Sequence, residues 1–205
     1  MYLFFRKLLS IVFHIKYKIT VHHPENIPEM KGGYIIASNH LKMLDPPMIA
    51  ACIRGKFSFM AKDEIFHKNS FITFVITKCG AFPVVRGSGD EAPIQKAVEV
   101  LGEERIFVIF PEGTRSKDGN LGRVKSGIAL IASQAAAPVL PVCLKYTGKR
   151  KVDLTIGELI PADELKIDPD DRKSMRNLSK RIQGELQSLH DELFGVQEAA
   201  AEENE

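Results

Sequence analysis

The chain has 205 residues, 44% hydrophobic and 26% charged, which suits one folded domain with a single core. A net charge of +2 makes no electrostatic case for nucleic acid as a partner. Three cysteines, Cys52, Cys79 and Cys143, are odd in number and widely spaced, so they form neither a disulfide framework nor a metal-ligand set and fit a reducing compartment.

Residues 1–19, MYLFFRKLLSIVFHIKYKI, are mostly apolar. At 100° per residue Arg6, Lys7, Ser10, His14 and Lys18 gather on one side of a helix, with Lys16 on the other. The longest stretch without Lys or Arg, Leu8 to Ile15, is far short of the roughly 20 residues that cross a bilayer. No small-residue cleavage site marks a signal peptide. Residues 1–20 are therefore expected to form an amphipathic helix in the membrane interface; the competing expectation is a helix docked on the protein's own core.

Beyond it, YIIAS (34–38) is a short β-rich run, and PMIAACI (47–53) is helix-like. FITFVIT (71–77) is ambiguous between helix and strand, AFPVV (81–85) reads as strand, and residues 92–104 read as helix. IFVIF (106–110) is a continuous apolar strand of the kind covered on both faces. A polar loop leads to a helix over 126–135, strands over 138–146 and 152–160, and a long amphipathic helix over 172–194. This alternation predicts an α/β fold over residues 21–195, a single domain with a mostly parallel central sheet flanked by helices. The acidic tail, 196–205, has nothing to bury and is expected to be disordered.

In such sheets, sites collect beyond the carboxyl ends of strands. Asn39-His40…Asp45, Arg86-Gly87 and Glu112-Gly113-Thr114-Arg115 all fall there. An imidazole can remove a proton near neutral pH, and a carboxylate can orient it. Residues five apart do not meet on a straight helix, so His40 and Asp45 pair only if LKML turns between them. Asp45 before Pro46 also reads as a helix N-cap, and His40 as a hydrogen-bonded core histidine. Gly113 permits close backbone approach to a ligand, Arg115 offers a fork suited to phosphate, and Glu112 can orient a base or accept a hydroxyl proton. The alternative for that loop is a solvated turn in which Glu112 and Arg115 pair. Lys62, in MAKDEIF, is a further cation. The Gly-Ser-Gly of 87–89 lacks the phosphate-loop pattern of an ATP site, no G-x-S-x-G elbow is present, and the six histidines show no metal-ligand spacing.

Taken together, SNHLKMLDP, GAFPVVRG, FPEGTRS and APVLPVCL resemble the four sequence blocks of the glycerolipid acyltransferases, in the same order, with KGGYIIASNH and MAKDEIF also in family style. The resemblance covers residues 20–160 and is strongest to the bacterial branch that acylates 1-acyl-glycerol 3-phosphate to phosphatidic acid. It implies His40 as general base and Asp45 as its orienting partner. It also implies Lys62, Arg86 and Arg115 as ligands of the acceptor phosphate, with Glu112, Gly113 and Thr114 shaping that pocket. The implied reaction is direct transfer from an acyl-CoA or acyl carrier protein thioester, with neither cofactor nor metal, at the cytoplasmic face of the cell membrane by a peripheral or monotopic protein. Competing expectations are another acceptor (glycerol 3-phosphate or a different lysophospholipid), a hydrolase, and a silent lipid-binding module.

Overall fold

The computed structural model describes residues 2–30, 33–67, 69–84, 91–168 and 171–202. Seven strands among them form one sheet: β1 (Lys18–His22), β2 (Ile35–Ser38), β3 (Phe57–Lys62), β4 (Ala81–Val84), β5 (Ile106–Ile109), β6 (Val139–Thr147) and β7 (Lys151–Ile156). Their order is β1-β7-β6-β2-β5-β3-β4. Every neighbouring pair is parallel except β6 and β7, which a tight turn through Gly148, at φ +61°, joins as an antiparallel hairpin. The helices are α1 (Tyr2–Lys16), α2 (Asp45–Cys52), α3 (Asp63–Phe66), α4 (Ser70–Lys78), α5 (Ala92–Gly102), α6 (Gly127–Gln134) and α7 (Arg172–Glu202).

Two cores follow from the period-two alternation of buried strands. Ile36, Ile106, Val108, Leu140 and Val142 face one side, against Phe13 of α1 and Met48 and Ile49 of α2. Ile35, Ala37, Phe107 and Val139 face the other, against Leu101 of α5, Ile128 and Ile131 of α6, and Ile182 and Leu186 of α7. The helix that leaves β2 thus lies on one face and the helix that leaves the adjacent β5 on the other. Neighbouring strands whose connections part in opposite directions open a crevice at their carboxyl ends.

The expected α/β architecture holds, with particular differences. The helix expected over 1–20 ends at Lys16, and residues 18–20 belong to β1, whose half-polar KITVH does not read as a strand; β3, ending in a charge, is covered by no expected element. The ambiguous FITFVIT is helical, in α4. The strand expected over 152–160 stops at Ile156. At Gly157 the chain passes so close to Leu189 and Pro141 that an added Cβ would lie 3.0 Å from Leu189 Cδ1, and only an isolated bridge, Ile160 to Val139, continues the pairing. Helix α7 runs on to Glu202, so residues 196–202 of the expected tail have helical backbone.

The helix forms, ending at Lys16, and it docks in part on the protein's own core. Phe13 is buried against α2, the Ser10 hydroxyl donates to Ala51 O at 2.9 Å, and an Arg6 N–H reaches Ile53 O at 3.5 Å. Two members of the polar stripe, Arg6 and Ser10, therefore face the protein, while Lys7 and His14 are exposed. Leu8, Ile11, Val12 and Ile15, one i, i+3, i+4, i+7 stripe, are left exposed, Ile15 at 80%.

Candidate active site

The crevice between β2 and β5 receives Asn39 and His40 from the end of β2 and Phe110 to Arg115 from the end of β5. Asn39 continues the ladder to β6 with its side chain: Oδ1 accepts the Leu144 N–H at 2.8 Å, and Nδ2 donates to Leu144 O at 2.9 Å. That pairing pins the backbone immediately before His40.

The LKML segment does turn back. His40 Nδ1 lies 2.8 Å from Asp45 Oδ2, and the same oxygen accepts the N–H groups of Leu41 at 2.6 Å and Lys42 at 2.7 Å. Oδ1 accepts the Tyr146 hydroxyl at 2.7 Å. Asp45 is 0% exposed, so these four donors replace the water that its carboxylate has lost. Asp45 does not cap α2: the helix begins at Asp45 itself, Leu44 is its N-cap, and no side chain caps it. The carboxylate instead folds back over the preceding turn. A carboxylate only accepts, so His40 Nδ1 carries the proton and the Nε2 lone pair is left to act on a substrate. Phe110 stacks on the imidazole at 4.1 Å between ring centres and fixes its plane.

Tyr146, at the end of β6, has a phenol pushed well above its usual range, first by burial and then by the neighbouring Asp45. It therefore stays a donor at every working pH. The Lys42 ammonium lies 4.0 Å from the centre of its ring.

Glu112 is 5% exposed, and both its oxygens are committed to backbone: Oε1 accepts the His40 N–H at 2.9 Å and Oε2 the Gly122 N–H at 2.7 Å. The Ser116 N–H donates to His40 O at 2.7 Å, so the peptide groups on both sides of His40 are held by the FPEGTRS loop. A paired Glu112–Arg115 turn is not what forms. Gly113 has φ +73°, a conformation that favours glycine, and a Cβ there would sit 2.6 Å from Lys125 Nζ.

The structure thus unites His40, Asp45, Glu112 and Gly113. Thr114 and Arg115 follow on the exposed rim of the same loop, and Lys62 is exposed at the carboxyl end of β3, the strand beside β5. Arg86 and Gly87 lie outside the described residues. Tyr146 and Lys125 escaped the sequence reading. Tyr146 sits just beyond the APVLPVCL block with no motif of its own, and Lys125 reaches Gly113 only through the fold.

The profile of a family described as Acyltransferase matches residues 18–145. The 1-acyl-sn-glycerol-3-phosphate acyltransferase of Streptococcus pneumoniae is 32% identical over 182 residues, 83% of this chain and 66% of that protein, a little under two thirds of its length. The Bacillus subtilis protein of the same name is 31% identical over 168 residues, 77% of this chain and 81% of that one. The crystal structure of the 1-acyl-sn-glycerophosphate acyltransferase of Thermotoga maritima superposes with a TM-score of 0.74 at 25% identity, over 94% of this chain and 79% of that one.

Proposed function

The chain belongs to the acyltransferase family, and from that membership we propose that it moves a fatty acyl group from a thioester to the free sn-2 hydroxyl of 1-acyl-sn-glycerol 3-phosphate, giving phosphatidic acid. The observation that carries this reading is the His40–Asp45 pair. An imidazole oriented through Nδ1 at 2.8 Å, with Nε2 open at the carboxyl edge of the sheet, is a general base awaiting a hydroxyl. The names of the Streptococcus, Bacillus and Thermotoga relatives support the acceptor.

In the proposed step, Nε2 of His40 takes the proton as the acceptor oxygen bonds to the thioester carbonyl carbon. The tetrahedral intermediate then collapses, the C–S bond breaks, and the imidazolium returns its proton to the departing thiolate. Asp45 stabilises the transient imidazolium. Arg115, Lys62, Arg86 and Lys125 would hold the acceptor phosphate, with Gly113 letting the loop backbone come close and Thr114 beside it at the rim. Glu112 would act through backbone, keeping that loop in register with His40. The donor is an acyl thioester of coenzyme A or of acyl carrier protein, and no further cofactor enters the step.

Docking to the inner membrane surface as a peripheral or monotopic protein accompanies this function. No helix among the described residues is long and apolar enough to cross a membrane. The exposed Leu8, Ile11, Val12 and Ile15 stripe on α1, with Lys7 and Lys16 nearby, suits insertion into an anionic interface.

The test is acyl transfer by purified protein in mixed micelles, with labelled 1-acyl-glycerol 3-phosphate and each thioester in turn. Phosphatidic acid should form, and His40→Ala should slow turnover by about 10²–10⁴-fold, the usual contribution of a general base. A wild-type protein that makes no phosphatidic acid with either donor refutes the acceptor, and an active His40→Ala refutes the base.

A further inference from the structure

The stretch from Lys117 to Lys125 links the FPEGTRS loop to α6 without regular secondary structure, so its backbone groups need partners from elsewhere. Three of them find partners on α7. The Val124 N–H donates to Gln183 Oε1 at 2.6 Å, and Gln183 Nε2 donates to Gly122 O at 3.3 Å. An N–H must meet the amide oxygen and a carbonyl must meet the amide NH2, so the two contacts fix the orientation of Gln183. Two helical turns further on, His190 Nε2 donates to Gly119 O at 3.0 Å. Ile182 and Leu186, buried in the core beside Gln183, set where α7 stands against the sheet.

The stretch so held also supports the base. The N–H of Gly122, whose carbonyl Gln183 binds, reaches Glu112 Oε2 at 2.7 Å, and Glu112 Oε1 accepts the His40 N–H at 2.9 Å. The Lys125 N–H, one residue past Val124, donates to Pro111 O at 3.0 Å. A continuous series of hydrogen bonds therefore runs from α7 through residues 122–125 to both the FPEGTRS loop and His40.

We propose that Gln183 is a positioning residue of the acyl-transfer site. It makes α7 the element that holds the acceptor-binding loop in register with the base. The proposal rests on the reaction proposed above for its kinetic consequences, and on the geometry alone for its structural ones.

Two substitutions test it. Gln183→Leu removes both contacts to the loop, whereas Gln183→Glu keeps an oxygen for the Val124 N–H. In the acyl-transfer assay Gln183→Leu should raise the apparent KM for the lysophosphatidic acid acceptor by about five- to tenfold, the weight of one or two neutral hydrogen bonds. The thioester KM should stay within about twofold, and Gln183→Glu, which serves the Val124 N–H but offers no donor to Gly122 O, should recover only part of the loss. A helix that merely fastens the fold would lower the amount of active enzyme and leave both KM values alone. Amide exchange by NMR supplies the second readout: in Gln183→Leu the N–H groups of Gly122, Val124 and His40 should exchange faster, while those of β2 and β6 keep their protection. Unchanged acceptor KM in an active enzyme, or unchanged exchange at those three amides, overturns the proposal. If the wild type makes no phosphatidic acid, the reaction proposed above fails, and exchange alone decides: opened amides uphold the positioning role, and unchanged amides end it.

Discussion

A buried carboxylate is tolerated only where hydrogen bonds replace its hydration, and at Asp45 three backbone or imidazole donors and one phenol do so. Three of those donors come from the turn that Asp45 itself closes, whereas Tyr146 is the one contribution from a distant strand. Tyr146→Phe leaves Oδ1 buried with no donor from Tyr146 and removes nothing else of similar size. Its unfolding free energy should fall by about 1–3 kcal/mol, the cost of an unsatisfied buried polar atom, as read from urea denaturation. Turnover should fall with it, because an Asp45 freed on one side no longer fixes the imidazole. A variant as stable and as active as the wild type would show that Oδ1 is served otherwise.

Among the elements, α1 carries apolar side chains on two sides, Phe13 against the core and a second stripe in the open. Arg6 and Ser10 bind carbonyls near the end of α2, and the stripe of Leu8, Ile11, Val12 and Ile15 is turned outward. Apolar side chains left in water at helical spacing mark an interaction surface, and a lipid interface is the surface that the acceptor proposed above, with its fatty chain, would occupy. Replacing Ile11 and Ile15 with Glu removes apolar area worth about 1.5–3 kcal/mol per fully inserted side chain. Binding to vesicles of anionic phospholipid, measured by cosedimentation, should weaken at least about tenfold. The circular dichroism spectrum should not change, since both residues already point away from the core. Undiminished vesicle binding would locate the docking surface elsewhere.

The whole molecule carries a pH signature. Burial pushes the Cys52 and Cys143 thiols and the Tyr34 phenol up to about 12, and Tyr146 higher still. In the unfolded chain thiols ionise near about 8.5 and phenols near about 10. Above those values the unfolded state has shed protons that the folded state keeps, so it binds fewer, and stability must fall as pH rises. The contribution is fully present below about pH 8 and is lost between about pH 8.5 and 12. Thermal unfolding followed from pH 7 to 11 should show a flat melting temperature at first and then a steady decline. Burial raises the Cys79 thiol as well, so it is in a Cys52→Ala/Cys79→Ala/Cys143→Ala triple variant that the decline should start later, near the phenol range. An identical pH profile in the two proteins would contradict the buried-thiol assignment.

Much of this was legible in the residues themselves. The continuous apolar run IFVIF, the alternation of strand-like and helix-like segments, and the blocks SNHLKMLD and FPEGTRS determined the α/β sheet, the family and the polar clusters at its carboxyl edge, because apolar periodicity and local turn chemistry act over a few neighbouring residues. The edge-ward strand KITVH was hidden, since a half-polar run of five is recognised as a strand only by the β7 it pairs with. How α1 lies was decided by docking on α2, which turned Phe13, Arg6 and Ser10 inward and left Leu8, Ile11, Val12 and Ile15 exposed. So were the pairing of His40 with Asp45 instead of a helix cap, the Tyr146 donor, the Lys125 ammonium over Gly113 and the Gln183 hold on the loop. Each of these joins groups far apart in sequence or settles a local choice between two partners, and only the packed sheet and helices bring the competing partners within hydrogen-bonding range.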